Sequence, residues 1–295
     1  MKAFIVGSQG RLGRVIARVL SHTYEIVKST HDVLDITDNS AVHSVVAAAR
    51  PSVIVNCAAY NDVDRAENEP EMALAVNAFA VQSLAQVATD VNATLVQYST
   101  DFVFDGDASV PYLETDDPNP RSVYAVSKLL GEWFAAETPR HYVLRVESLF
   151  GGVEADEIDG RRRRSSLGLL VDAMLEGKEV RAFVDRIVSP SYVKDVAQAT
   201  VELLRLDASP GLYHCVGSGN ATWFNVAIEL SRRLNLQATI REITLDQLDL
   251  PARRPKFCAL SNAKLIDAGV SMPTWQDAVE RYLDDRRRGG SAALL

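Results

Sequence analysis

Tyr124 and Lys128 stand four residues apart in VYAVSKLLGEW (residues 123–133), an apolar run of good helix formers. On a helix they fall one turn apart on the same face. A phenol held beside an ammonium group is a proton donor with adjustable acidity. An ordinary phenol titrates near pH 10. A cation one turn away favours the phenolate, and a shift of one pH unit is worth about 1.4 kcal/mol. Such a pair suits a reaction in which negative charge develops on a substrate oxygen and a proton must follow.

Gly7, Gly10 and Gly13 form a G-x-x-G-x-x-G pattern between KAFIV (residues 2–6) and RVIARVL. Glycines permit a tight turn without a Cβ penalty. They also let a pyrophosphate approach the amides at the following helix N-terminus, which makes this a dinucleotide site. An NAD site usually has an acid at the end of the second strand for the ribose hydroxyls. This chain has VKST there, so Lys28, Ser29 or Thr30 meets the 2′ position, and the site leans to NADPH over NADH. Asp35, in LDITD, is a candidate for the adenine end.

These residues need a sheet to hold them. The runs 2–6, 24–29 (YEIVKS), 52–59 (SVIVNCAA), 94–99 (TLVQYS) and 141–146 (HYVLRV) read as strands. They are rich in Val and Ile and show little alternation, and helical patterns separate them, as in a parallel sheet buried on both faces. Residues 1–150 are therefore expected to form a doubly wound α/β domain. Residues 151–285 are expected mainly to build a smaller lobe, with about 185–205 and 255–270 returning to the first domain. The tail from 286 is expected to fray. The segment 151–166 with its arginine run, 161–164, reads as a loop, either simply solvated or a cationic flap over an anionic ligand.

The whole chain limits the partners. Its 295 residues carry a net charge of −8, against nucleic acid or an acidic membrane surface. The three cysteines, Cys57, Cys215 and Cys258, lack metal-ligand spacing and read as reduced thiols of a cytoplasmic protein. No apolar run of membrane-spanning length is evident from the sequence.

The glycine turn, VNCAAYNDVDRAENEP, YSTDFVFDG and YAVSK together resemble the extended short-chain dehydrogenase/reductases, and within them the dTDP-4-dehydrorhamnose reductase group. VDRIVSPSYVKDVA and RRPKFCALS extend the resemblance through most of the chain. It implies a Rossmann-like fold and NADPH- or NADH-dependent reduction of a keto group on a nucleotide-linked 4-keto-6-deoxysugar. It also implies Thr100, Tyr124 and Lys128 as the catalytic set, Lys128 also bonding the nicotinamide ribose. Gln9, Arg11, Leu12, Ile36, Ala58, Ala59 and Tyr60 would join Gly7 and Gly10 along the cofactor. Asp101 and Phe102 would face substrate, and Asn77, an amide in mid-helix, is either a surface residue or part of a proton relay.

The chain departs from the family in places. Ser148, in RVESLFG, stands where a tryptophan is common. Arg186 and Val188, in DRIVSPS, replace Gln and Gly; Arg186 is expected either to contact a diphosphate or to pair with Asp185 or another surface acid. Arg254 is a further diphosphate candidate, the alternative being a structural ion pair. Val15 cannot ligate a cation, so no metal is expected, and the chain is read as a monomer or a homodimer. Two other readings stay open: epimerisation or dehydration of a sugar nucleotide on the same fold, and a non-catalytic dinucleotide-binding subunit.

Overall fold

A computed structural model describes residues 1–152, 157–158, 161–162 and 164–289. Six strands form one parallel sheet: β1 (Lys2–Val6), β2 (Glu25–Ser29), β3 (Val53–Asn56), β4 (Thr94–Thr100), β5 (His141–Val146) and β6 (Gly211–His214), in the order β6-β5-β4-β3-β1-β2. Alternate residues feed two cores. Ala3, Ile5, Val53 and Val55 pack under helices α1 (Arg11–Leu20) and α5 (Val193–Leu206). Phe4, Ile54, Leu95 and Val143 pack on the other face under α2 (Asn39–Ala49), α3 (Pro70–Asp90) and α4 (Val123–Ala136). Burial on both faces explains the near-continuous apolar strands, and all seven residues of β4 are buried.

The chain runs outward from β1 to β2 and then returns to β3 on the other side of β1. Such a reversal opens a crevice at the carboxyl ends of the strands, where open α/β sheets bind ligands. The strand that completes the sheet, β6, lies outside both segments expected to return; its four residues, Gly-Leu-Tyr-His, carry little apolar signature. Strand β3 stops at Asn56 and leaves Cys57–Ala59 as loop at the crevice.

Helix α3 is long and apolar enough to cross a membrane by length and composition, which the sequence reading missed. Its apolarity serves the core: Val81, Leu84, Ala85 and Val87 are buried against the sheet and α4. A π-helical turn, Ala75–Phe79, interrupts it and turns Asn77 inward. Helix α4 begins at Ser122, whose hydroxyl accepts from the Ala125 amide. It lies so close to the π turn that a Cβ on Gly131 would sit 2.1 Å from the Asn77 carbonyl oxygen. Gly131→Ala is therefore expected to destabilise the protein by about 1–3 kcal/mol, although alanine is the better helix former. Urea unfolding checks the sign.

The remaining chain crosses the carboxyl edge of the sheet. Leu149–Phe150 pairs with Ser191–Tyr192, and Ile187–Val188 with Ala221–Thr222. Val180–Phe183 runs parallel to Ile240–Ile243, flanked by helices Ser166–Leu175 and Trp223–Leu234. The last helix, Trp275–Gly289, runs past the point where fraying was expected, with Arg286 donating to Asp172 Oδ1 at 2.6 Å. In the arginine run Arg164 pairs with Asp172, Arg161 and Arg162 lie in a short strand, and Arg163 is outside the described residues.

Candidate active site

Two cavities meet at Ala58 and Ala59 along the carboxyl edge. The smaller, about 290 Å³, is bordered by Gly7, Ser29, Thr30, Asp35 and Ile36. The larger, about 460 Å³, is bordered by Gly10, Arg11 and Leu12 at one end. Thr100, Asp101, Phe102, Tyr124, Lys128, Ser148 and Arg186 also border it.

The glycine turn suits a diphosphate. Gly7 has φ +68°, and a Cβ there would meet the Ala58 amide at 2.7 Å. A Cβ on Gly13 would lie 2.3 Å from the Gly7 carbonyl oxygen. Gly10 caps α1 with no side-chain bond, and the first turn of the helix holds no acid, which suits an anion at this end. Gly7, Gly10, Arg11, Leu12, Ala58 and Ala59 would hold the dinucleotide.

Tyr124 sits on the first turn of α4, beside the end of β4. Its phenol and the Thr100 hydroxyl border the same cavity, and that hydroxyl favours ionisation of the phenol. Phe102 stands edge-on to the phenol, with ring centres 5.7 Å apart at 85°. Thr100 Oγ1 donates to Asp101 Oδ1 at 3.0 Å and accepts from the Phe102 amide at 3.2 Å. Burial pushes the phenol well above its ordinary range, the Thr100 hydroxyl works downward and Asp101 upward. The Lys128 ammonium donates to the Tyr98 carbonyl at 2.6 Å.

Burial lowers Lys128 to about 8, with Glu132 and Cys57 opposing. Between about pH 8 and 10.5 the unfolded chain holds the proton that folded Lys128 has lost, so this site contributes stability that grows as pH rises through that window. Lys128→Met is expected to raise unfolding stability at pH 7 by about 1–3 kcal/mol and flatten that rise. Turnover should fall in the same variant. Denaturation at pH 7 and pH 9.5, alongside an assay, checks both.

Four expected contacts are placed elsewhere. Gln9 is exposed, and its carbonyl accepts from Arg14 Nε at 2.7 Å. Lys28 points to solvent, because alternation along β2 buries Ser29 and turns Lys28 outward; His31 borders the smaller cavity in its stead. Tyr60 borders neither cavity: its hydroxyl donates to Glu69 at 2.7 Å. Arg254 forms a two-pronged pair with Asp64, at 2.8 and 2.7 Å, beside a separate cavity near Leu245.

Asn77 is buried, not a surface amide. It accepts from the Tyr60 amide and donates to the Tyr60 carbonyl and the Ser127 hydroxyl. Arg186 does not pair with Asp185, which accepts from the Leu245 amide and meets Lys256 at 3.3 Å. Its guanidinium lies 5.4 Å from the centre of the Phe102 ring, facing Asp101, Glu147 and Cys258. Glu147 and Cys258 were not anticipated from sequence; an acid at the carboxyl end of β5, in an apolar context, was the available signal. Asn61, Ser166 and Trp223 also border the larger cavity and were not anticipated.

Residues 1–288 match the family model described as the RmlD substrate binding domain. The chain belongs to this family. It is 30% identical to dTDP-4-dehydrorhamnose reductase of Escherichia coli (strain K12), over 97% of the chain and 98% of that protein. It is 29% identical to the spore coat polysaccharide biosynthesis protein SpsK of Bacillus subtilis (strain 168), over 97% and 98%. Among RmlD structures, dTDP-4-dehydrorhamnose reductase of Bacillus anthracis in complex with NADP superposes with a TM-score of 0.89 at 30% identity, covering 97% of this chain and all of that one.

Proposed function

We propose that the chain reduces the keto group of a nucleotide-linked 4-keto-6-deoxysugar, with NADPH as the preferred reductant, in the cytoplasm. One observation carries the reading: Tyr124 and Thr100 border the same cavity as Gly10, Arg11 and Leu12 of the glycine turn. The RmlD relative that binds NADP supports the choice of cofactor. With Lys28 turned away, Thr30 and His31 are the polar groups that would meet a 2′-phosphate.

When bound, the dihydronicotinamide supplies the hydride. The residues of the chain supply the rest. Tyr124 gives its phenolic proton to the oxygen on which charge develops, and a phenol raised by burial stays protonated until that oxygen demands it. The Thr100 hydroxyl, fixed by the Phe102 amide, holds the same oxygen. Lys128, anchored on the Tyr98 carbonyl and bordering the cavity, would hold the nicotinamide ribose. Phe102 walls the phenol from water on one side.

A panel of keto-sugar nucleotides assayed with NADPH and NADH tests the reading. Consumption of NADPH with a 4-keto sugar nucleotide supports it. Turnover without net change in the cofactor would assign epimerisation or dehydration, and binding without turnover a regulatory role.

A further inference from the structure

Behind Thr100 lies a buried group of side chains that hydride transfer does not use. Asp101 is 3% exposed and Glu147 2%. One oxygen of each, with the Cys258 sulfur, lie within 4.8 Å of one another. Asp101 Oδ2 and Glu147 Oε1 are both buried without a hydrogen-bond partner. Glu147 Oε2 accepts from the Ser189 amide at 2.7 Å. The charged and titratable groups facing the pair are Arg186, Cys258 and Tyr124. Two ionised carboxylates against a single guanidinium would leave surplus negative charge in a poorly hydrated site, and one proton between them removes it. A divalent cation is the other way to neutralise such a trio, but Arg186 already brings positive charge to it.

The pair connects to the reacting phenol. Asp101 Oδ1 is 3.0 Å from Thr100 Oγ1, and Thr100 and Tyr124 border the same cavity, where the Thr100 hydroxyl acts on the phenol. The neighbouring polar groups are engaged elsewhere: Lys128 donates to Tyr98, and Asn77 is spent on Tyr60 and Ser127.

We propose that Asp101 and Glu147 hold one proton between them, and that Asp101 passes it through Thr100 to Tyr124 after each reduction. The inference rests on the reductase reading. Tyr124 is left as a phenolate when it gives its proton to the substrate oxygen. With the shared proton on Asp101 Oδ1, the bond to Thr100 runs from Asp101 to Thr100. The Thr100 proton then moves to the phenolate oxygen as the Asp101 proton moves to Thr100. One O–H bond forms at Tyr124 and one breaks at Asp101, with no change of oxidation state. Asp101 and Glu147 are left doubly ionised opposite Arg186, and Asp101, which borders the crevice, regains a proton from water when product leaves. Glu147 is a positioning residue: its charge keeps the proton on Asp101. Burial raises both carboxyls, and the Asp101 charge raises Glu147 further, in keeping with a pair that is not doubly ionised.

Infrared spectroscopy and transient kinetics test the inference together. The cofactor-free protein at neutral pH should show a protonated-carboxyl stretch that Glu147→Gln lacks, since Asp101 then ionises against Arg186. In Glu147→Gln the steady rate should fall at least about 10-fold more than the first-turnover rate, giving a burst near one NADPH per site. A retained carboxyl band, or equal loss in both phases, would overturn it. If the variant does not fold, the native protein decides: a burst should appear as rising pH strips the pair of its proton, and its absence would overturn the proposal. A chelator should change nothing; a requirement for a divalent ion would assign the trio to metal. Native protein with no first turnover on any keto sugar would instead refute the reductase reading.

Discussion

Tyr124→Phe is expected to bind NADPH as the native protein does and to lose at least about 10²-fold in turnover, the usual scale for removing a positioned acid. The change deletes one oxygen. The ring stays packed at the edge of Phe102, and α4 keeps its Ser122 cap and its close contact at Gly131. The cofactor turn lies on a different element, so cofactor affinity should hold within about two-fold. The loss should appear in kcat, because the proton is given only as charge builds on the substrate oxygen. Fluorescence titration of NADPH with steady-state kinetics separates the two effects. Native-like turnover would remove Tyr124 from the chemistry.

Glu132→Ala should cost about 3–5 kcal/mol of stability, the scale for breaking a buried ion pair from one side. Glu132 is on α4, one turn beyond Lys128, and receives both prongs of Arg145 from β5, at 2.9 and 2.7 Å. The two side chains are 2% and 7% exposed. Arg145 also covers the Phe104 ring at 4.9 Å. His214, 3.4 Å away, cannot take over as a counter-charge: burial and Arg145 lower it to about 3, so it is neutral. Alanine at 132 leaves a guanidinium buried with no carboxylate. Because Glu132 also supports the charge on Lys128, the variant should lower that ammonium further and weaken activity in whatever protein still folds. Replacing both partners together, Glu132→Leu with Arg145→Met, should cost much less than the single change. Urea denaturation of the two variants gives the comparison.

How far the sequence reaches follows from what each feature depends on. Strands β1, β3, β4 and β5 were legible because burial on both faces leaves uninterrupted Val and Ile, and the Tyr124 helix because its signal is local. Lys28 was assigned to the cofactor because a strand end uncertain by one residue exchanges the inward side chain for the outward one. The acid group behind Thr100 could not be seen: Asp101, Glu147, Arg186 and Cys258 come from four separated segments, and only the crossing of Ile187–Val188 and Ser191–Tyr192 over the sheet edge gathers them. Arg254 and Asp64, 190 positions apart, meet for the same kind of reason. Local chemistry was readable; pairings made by the lobe were not.

The most direct test follows the hydride itself. The native protein, given NADPH deuterated at the transferable position of the nicotinamide and a nucleotide-linked 4-keto-6-deoxysugar, should place one deuterium on the former carbonyl carbon, with oxidised cofactor formed in equal amount. Product that carries no label, or is formed while the cofactor stays reduced, would contradict the account.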